Sequence, residues 1–311
     1  MFDVIGVGHA CYDNLCTVPV YPREDTASRI VAWDEQGGGA ASQALVTLAR
    51  LGASTAYAGN LGDDRAGQFL LADYQKEKVN TECVKVIKGA VSSTSFILIS
   101  QETGQRTIFY YPGKLPVLDI EKATEAFIGQ SSYLHLDAVD YDSALKAAET
   151  ARRHHVKTSL DGCEVRDDVS QTIRLITLTD VLITNQTYPE KVTGCSCLPD
   201  ALKKLAAMGP QIVITTCGAD GAFCYDGSRI VHYPAYDIRP VDSTGAGDSF
   251  HGAFLFGLVN HYSIERCVQF ASAVSAINCM TLGGRAGLPT LDEVFRYMES
   301  HPYGRSKVIA C

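Results

Sequence analysis

Short apolar runs alternate along this chain with longer stretches whose apolar positions recur every three or four residues. Asp3-Val4-Ile5-Gly6-Val7-Gly8 is a β run ending in glycine, and Tyr133–Asp137, Thr158–Leu160, Val181–Asn185, Ile212–Thr216 and Ile230–Pro234 are of the same kind. Ala66–Val79, Ser143–His155, Ala201–Met208 and Ile264–Met280 carry the helical period instead. A helix also follows Gly37-Gly38-Gly39, with Ala44, Leu45, Leu48, Ala49 and Leu51 on its buried side and Gly52 ending it. Ala53–Asn60 is predicted as one further strand. Alternation at this spacing predicts an α/β fold, a mostly parallel central sheet with helices on both faces.

Two stretches break the alternation. From Leu15 to Gln36 there are only short β-like pieces with Pro19, Pro22 and charges between them, and little to build a core helix. Thr94–Ser100 and Arg106–Tyr111 read as a hairpin with the polar turn Glu102-Thr103-Gly104-Gln105.

The totals narrow the class. A chain of 311 residues, 46% hydrophobic, can bury a sizeable core as one large domain or one domain with an appendage. The net charge of −8 argues against nucleic acid or an anionic membrane as main partner, but not against an anionic substrate held in a locally basic site. No apolar run reaches the length of a membrane span, and Met-Phe-Asp-Val-Ile reads as a strand rather than a signal peptide. The eleven cysteines lack any Cys-x-x-Cys, and Cys195-x-Cys197 has no second cluster at zinc-finger spacing. Cys217, Cys224, Cys267 and Cys279 fall in apolar runs and are expected as buried free thiols, while Cys311 is expected to be exposed; this fits a reducing cytoplasm.

The chemistry gathers in Asp242-Ser243-Thr244-Gly245-Ala246-Gly247-Asp248-Ser249-Phe250-His251-Gly252-Ala253-Phe254. Phe250, Ala253, Phe254, Gly257 and Leu258 recur at helical spacing, so Gly245–Gly247 should form the first turn of a helix. Amides there lack intrahelical partners, the helix dipole adds positive charge, and two glycines let an anion approach the main chain. Asp248 follows as a carboxylate beside that anion. Charge stabilisation next to a proton acceptor is what phosphoryl transfer to a hydroxyl requires. The residues alone also allow a plain Gly-rich turn with Asp248 as an ordinary helix-start acid.

That stretch resembles, without a mismatch, the C-terminal motif of the ribokinase-like (PfkB) carbohydrate kinases, and the likeness runs over nearly the whole chain. The resemblance implies a single ribokinase-like domain over residues 1–311, with a small β-sheet lid formed by about 11–36 and 94–112. It implies Asp248 as the general base and the amides of Gly245, Ala246 and Gly247 as an anion hole. It also implies that Asp13 hydrogen-bonds sugar hydroxyls and that Gly38 and Gly39 let the sugar lie against the backbone. Gln43 stands where the family usually has a sugar-gripping Asn, with Ser42 as a second candidate for that contact. The acid pair Asp63-Asp64 is better read as a helix cap than as a metal site.

For ATP, the resemblance implies Asn185, the loop Thr216-Cys217-Gly218-Ala219-Asp220-Gly221, Gly247 and the small residues around Ala273. The family's Asn-x-x-Glu is incomplete, because Tyr188 holds the acid's place and Glu190 is the nearest substitute to assist Mg²⁺ through water. Asp242, Thr244 and Gly283 are expected to bound a monovalent-cation site, K⁺ being the candidate. The resemblance also implies a homodimer contact through one face of the β lid, with Tyr110 and Tyr111 each open to the sugar side or to that contact.

Phe250-His251-Gly252-Ala253, Phe270-Ala271-Ser272, Cys279 and Gly283-Gly284-Arg285-Ala286-Gly287 look like the ketohexokinase and sulfofructose kinase branch. Arg106, with Arg23, Arg29 and Lys114, offers basic groups near the lid for an anionic substituent. The expected reaction is transfer of the γ-phosphoryl group of MgATP to a primary hydroxyl of a furanose-form ketohexose or derivative, with ribose and nucleosides as alternatives. Two other classes fit less well. A non-catalytic sugar-binding relative would lose the anion hole, and a Rossmann oxidoreductase would need a third glycine where Cys11 stands.

Overall fold

The computed structural model describes residues 1–103 and 106–310, so Gly104 and Gln105 of the predicted turn, and Cys311, lie outside the described residues. Its main sheet has nine strands in the order Lys307–Ala310, Ile230–Tyr233, Ala222–Tyr225, Ile212–Thr216, Val181–Asn185, Lys157–Gly162, Ser131–Asp137, Phe2–Val7 and Thr55–Tyr57. The six from Ile212–Thr216 to Thr55–Tyr57 pair in parallel; the other three pair antiparallel. The parallel strands read as near-continuous apolar runs because helices cover both faces. One core packs against the helices Ala40–Arg50, Ala246–Val259 and Ile264–Asn278, the other against Tyr141–Arg153 and Leu198–Ala206. Residues just past the carboxyl ends of parallel strands therefore share one rim, where α/β sheets bind ligands.

A four-stranded sheet stands apart, in the order Ala32–Gly38, Cys11–Val18, Ser93–Ser100, Arg106–Tyr111. Cys11–Val18, which carries Asp13, is a full strand paired on both sides, antiparallel to Ala32–Gly38 and parallel to Ser93–Ser100. Those two neighbours satisfy its backbone where a loop would leave it bare. The expected hairpin pairing is present, with Thr94 opposite Tyr111 and Ile99 opposite Arg106.

Ala53–Asn60 is not one strand. Thr55–Tyr57 joins the main sheet, and Gly59–Gly62 turns away to pair with Val84–Ile87. Asp64 caps the helix Arg65–Lys76 by accepting the Gly67 amide at 2.9 Å, and its other oxygen accepts the Ser92 amide at 3.0 Å. Cys224, Cys267 and Cys279 are buried free thiols, whereas Cys217 is half-buried because it follows the last residue of its strand.

Candidate active site

The helix Ala246–Val259 starts at Gly245, whose φ of 72° is left-handed and suits glycine. The first amide to bond back along the helix is that of Ser249, to the Gly245 carbonyl at 2.8 Å. The amides of Gly247 and Asp248 precede that bond, and Ala246 donates only at 3.3 Å, to Ser243. A Cβ placed on Gly247 would meet nothing within 4 Å, so there is open space at this helix start.

Two cavities meet at the same turn. One of about 180 Å³ is lined by Asp13, Gly38, Gly39, Gln43, Ser95, Tyr110, Thr244, Gly245 and Asp248. The other, about 410 Å³, is lined by Thr216, Gly218, Gly221, Ser243, Ala246, Gly247, Ser272, Ser275 and Ala276. The helix start is thus the partition: Asp248 belongs to the small cavity and Gly247 to the large one. A third cavity of about 300 Å³ adjoins the first, sharing His9 and Tyr110 and adding Asn60, Ser93, Lys114 and Asp140.

The carboxylate on the small-cavity side is strongly perturbed. Burial raises Asp248 to about 6, the charges of Asp137 and Asp13 push the same way, and Arg106 opposes them. Asp13 accepts a hydrogen bond from Ser95 Oγ at 2.6 Å, and burial raises its carboxyl too. A Cβ on Gly38 would collide with the Asp13 carboxylate, so glycine there makes room for it. Asp161, on the same rim, is buried against His251, with 3.4 Å between Oδ1 and Nε2. Burial, then Asp248 and Asp137, raise the Asp161 carboxyl well above its ordinary range, and burial and His135 lower His251.

Some expected residues lie elsewhere. Asn185 is outside the large cavity: its amide donates to the Cys163 carbonyl at 2.8 Å and its oxygen accepts from the amides of Thr187 and Tyr188. Ala273 is wholly buried, and Ser272, Ser275 and Ala276 present the wall instead. Arg106 does not line the small cavity either. Its Nη1 docks on Asp242 Oδ1 at 3.2 Å and donates to Ser243 Oγ at 2.8 Å. Glu190 lines an open groove that meets the large cavity at Ala219 and Ala235. Tyr110 faces the small cavity, and Tyr111 projects from the opposite side of its strand.

Of the residues expected to bound a monovalent cation, Asp242 and Thr244 have oxygens that already accept hydrogen bonds. Asp242 Oδ1 accepts from the amide and hydroxyl of Thr244 at 2.9 and 2.8 Å and from Arg106, and Oδ2 accepts the Gly283 amide at 2.9 Å. The Thr244 carbonyl accepts Asn278 Nδ2 at 3.1 Å, and the Gly284 carbonyl accepts Gln43 Nε2. The Asp242 carboxylate is thus taken up by N–H and O–H donors, and no step is routed through a monovalent cation. Among the described residues there is no group of three or more His, Cys, Asp or Glu able to hold a metal ion. Mg²⁺ does not require such a cage, since it commonly arrives on substrate phosphates with several waters retained.

A family model of pfkB carbohydrate kinases matches residues 1–291. The chain belongs to that family. It is 26% identical over 301 residues to a ribokinase of Staphylococcus aureus, covering 94% of this chain and 98% of the relative. It is 24% identical over 303 residues to mouse ketohexokinase, with the same coverage of 94% and 98%. A solved ribokinase from Thermotoga maritima superposes with a TM-score of 0.83 at 22% identity, over 96% of this chain and 100% of that one, and shares its fold. This pfkB kinase is therefore a phosphotransferase of the sugar and nucleoside kinase class, and ATP is a substrate of its family.

Four residues at or behind the kinase's small cavity carried no assigned role in the sequence: His9 and Ser95, which line it, and Asp137 and the side chain of Arg285, which lie behind it. Asp137 gave a usable signal, since it ends a predicted strand on the binding rim. It accepts the amides of His9 at 2.7 Å and Ala41 at 3.0 Å, tying the first strand's exit to the start of the helix Ala40–Arg50. His9 and Arg285 gave none, because their partners lie 84 or more residues away.

Proposed function

We propose that this kinase transfers the γ-phosphoryl group of MgATP to a primary hydroxyl of a furanose-form sugar, a ketohexose or derivative being the favoured acceptor. The supporting observation is the partition at Gly245–Asp248, with a carboxylate on the small-cavity side and free helix-start amides toward the large one. In this reading Asp248 removes the hydroxyl proton and keeps it. The hydroxyl oxygen forms a bond to the γ-phosphorus as the bond to the β,γ-bridging oxygen breaks, and ADP leaves. The amides of Gly245, Ala246 and Gly247 hold the charge gathering on the equatorial oxygens. Bound Mg²⁺, held by the phosphates and waters with Glu190 assisting through water, would neutralise phosphate charge.

The acceptor would rest on Gly38 and Gly39, with Asp13 accepting its hydroxyls and Tyr110 and His9 closing the far side. Thr216, Gly218, Gly221 and Ser272 would receive the nucleotide. Residues 1–311 act as one catalytic domain in this reading, and the four-stranded sheet acts as a lid that keeps water from the phosphoryl group. A second reading, a riboside or other acceptor bearing a substituent, is favoured by the adjoining 300 Å³ cavity beyond His9 and Tyr110. Among the described residues no helix is long and apolar enough to cross a membrane, and a cytoplasmic enzyme is our reading of the free thiols.

The test is ADP release with MgATP across fructose, 6-deoxy-6-sulfofructose, fructose phosphates, ribose and nucleosides, with Asp248→Asn beside the wild type. The variant is expected to retain ATP binding and lose roughly 10²–10⁴ in kcat. Equal turnover in Asp248→Asn would remove that residue from the role of base.

A further inference from the structure

Gln43 stands where the family's sugar-gripping Asn is expected, yet both ends of its amide are consumed inside the protein. Its Oε1 accepts Arg285 Nε at 3.2 Å, and its Nε2 donates to the Gly284 carbonyl. The side chain is 2% exposed. A primary amide has two acceptor lone pairs and two donors; one of each is spent here on the loop at 283–285, although the group also borders the small cavity.

Arg285 is the reason. Its guanidinium, 3% exposed, lies below the glycine run, bonded to Asp73 through Nη1 and to Ser42 through Nη2. Its backbone amide donates to Gln36 Oε1 at 3.1 Å, and its carbonyl accepts Arg50 Nη1 at 2.8 Å. A Cβ at Gly37 would collide with the guanidinium, so the glycine there is needed for the arginine. Burial is expensive enough to bring the guanidinium down to about 9. A buried charge of this kind is weak evidence of stabilisation; its better-attested use is to fix one arrangement.

The arrangement it fixes leads to the anion hole. Gly284, held by Gln43, follows Gly283, whose amide donates to Asp242 Oδ2. The Gly284 Cα would sit 3.0 Å from a Cβ on Gly245, so this loop packs directly on the residue that opens the helix Ala246–Val259. We propose that Gln43 and Arg285 are a positioning pair: they hold the Gly283–Gly284 loop against Gly245 and so set the anion-hole amides, and Gln43 does not read the acceptor. The proposal rests on the kinase reading above.

Two measurements test it. The first is binding of ADP with Mg²⁺, with and without aluminium fluoride as a mimic of the transferring phosphoryl group, to wild type, Gln43→Asn and Arg285→Lys. Asn is one methylene too short to reach both partners, and Lys cannot make the three separate guanidinium bonds. The expected result is ADP affinity within 2-fold of wild type and about 10-fold or greater loss of the added tightening by aluminium fluoride in both variants. The second is steady-state kinetics with whichever panel sugar the wild type phosphorylates. A fall of about 10-fold in kcat with acceptor KM within 2-fold is expected for Gln43→Asn, because the pair serves the transition state. Unchanged kcat with a raised acceptor KM, or a changed sugar preference, would make Gln43 an acceptor-reading residue and overturn the proposal. Unaltered aluminium fluoride binding in both variants would overturn it as well. Failure of the kinase reading looks different: the wild type itself would show no turnover and no tightening with aluminium fluoride.

Discussion

Asp248 carries its chemistry in its surroundings. Burial and the nearby carboxylates of Asp137 and Asp13 raise it to about 6, and Arg106 pulls the other way. A general base works ionised, so kcat/KM is predicted to be level above about pH 6 and to decline as pH falls through that value. Arg106→Gln removes the opposing charge and should move the acid limb to higher pH; a limb that stays in place would show that Arg106 does not act on Asp248. The same shift is a statement about stability. A carboxyl raised on folding binds its proton more tightly in the folded state, so its ionisation destabilises the fold as pH climbs from about 3.9, the ordinary carboxyl value, to about 6. Asp248→Asn is therefore expected to melt above wild type at pH 8 and to lose that advantage at pH 4, as checked by thermal denaturation at the two values. The loop from Asp242 to Asp248 was legible because amide exposure, glycine and an acid are all local. Arg285 was not legible, since its meaning depends on Ser42, Gln43 and Asp73, more than two hundred residues earlier.

At the scale of elements, the parallel strands were readable because burial on both faces makes them short and uniformly apolar. The small sheet was readable only in part. Its hairpin alternates clearly, with Ser95 and Ile97 lining the cavity and Phe96 exposed on the other side, but Cys11–Val18 mixes polar and apolar residues on both faces. That strand exists because two neighbours pair with it, one of them about eighty residues away, and no local pattern encodes such a partner. The break at Ala58, where the chain leaves one sheet for another, was invisible for the same reason. Where strand and helix meet, Gly38 lies against Asp13. Gly38→Ala would drive a methyl into that carboxylate, so acceptor KM is expected to rise about 10-fold or more while ATP KM stays within 2-fold. Equal changes in both constants would mean that the strand, and not the acceptor pocket, had been disturbed.

For the whole molecule, the small sheet has two unlike faces. The inner one lines the acceptor cavity with Asp13, Ser95 and Tyr110. The outer one leaves Trp33, Phe96, Phe109 and Tyr111 in solvent, Trp33 at 60% and Phe109 at 58%, with Phe96 directly opposite Phe109 across the hairpin. An aromatic patch of this kind on an exposed sheet face is unusual for a surface with no partner. A second copy of the chain offers the same patch, and a two-fold contact would cover both at once. We therefore expect a homodimer through the lid, which sedimentation at about 1–50 µM should detect, and we expect Phe109→Asp to shift it to monomer. Because the same strands carry the inner face, dissociation should also loosen Asp13 and Tyr110. The monomeric variant is then predicted to show a raised acceptor KM with little change for ATP, although Phe109 points away from the cavity. A wild-type protein that stays monomeric throughout that range would refute the dimer, and a monomeric Phe109→Asp with an unchanged acceptor KM would show that the two faces of the sheet act independently.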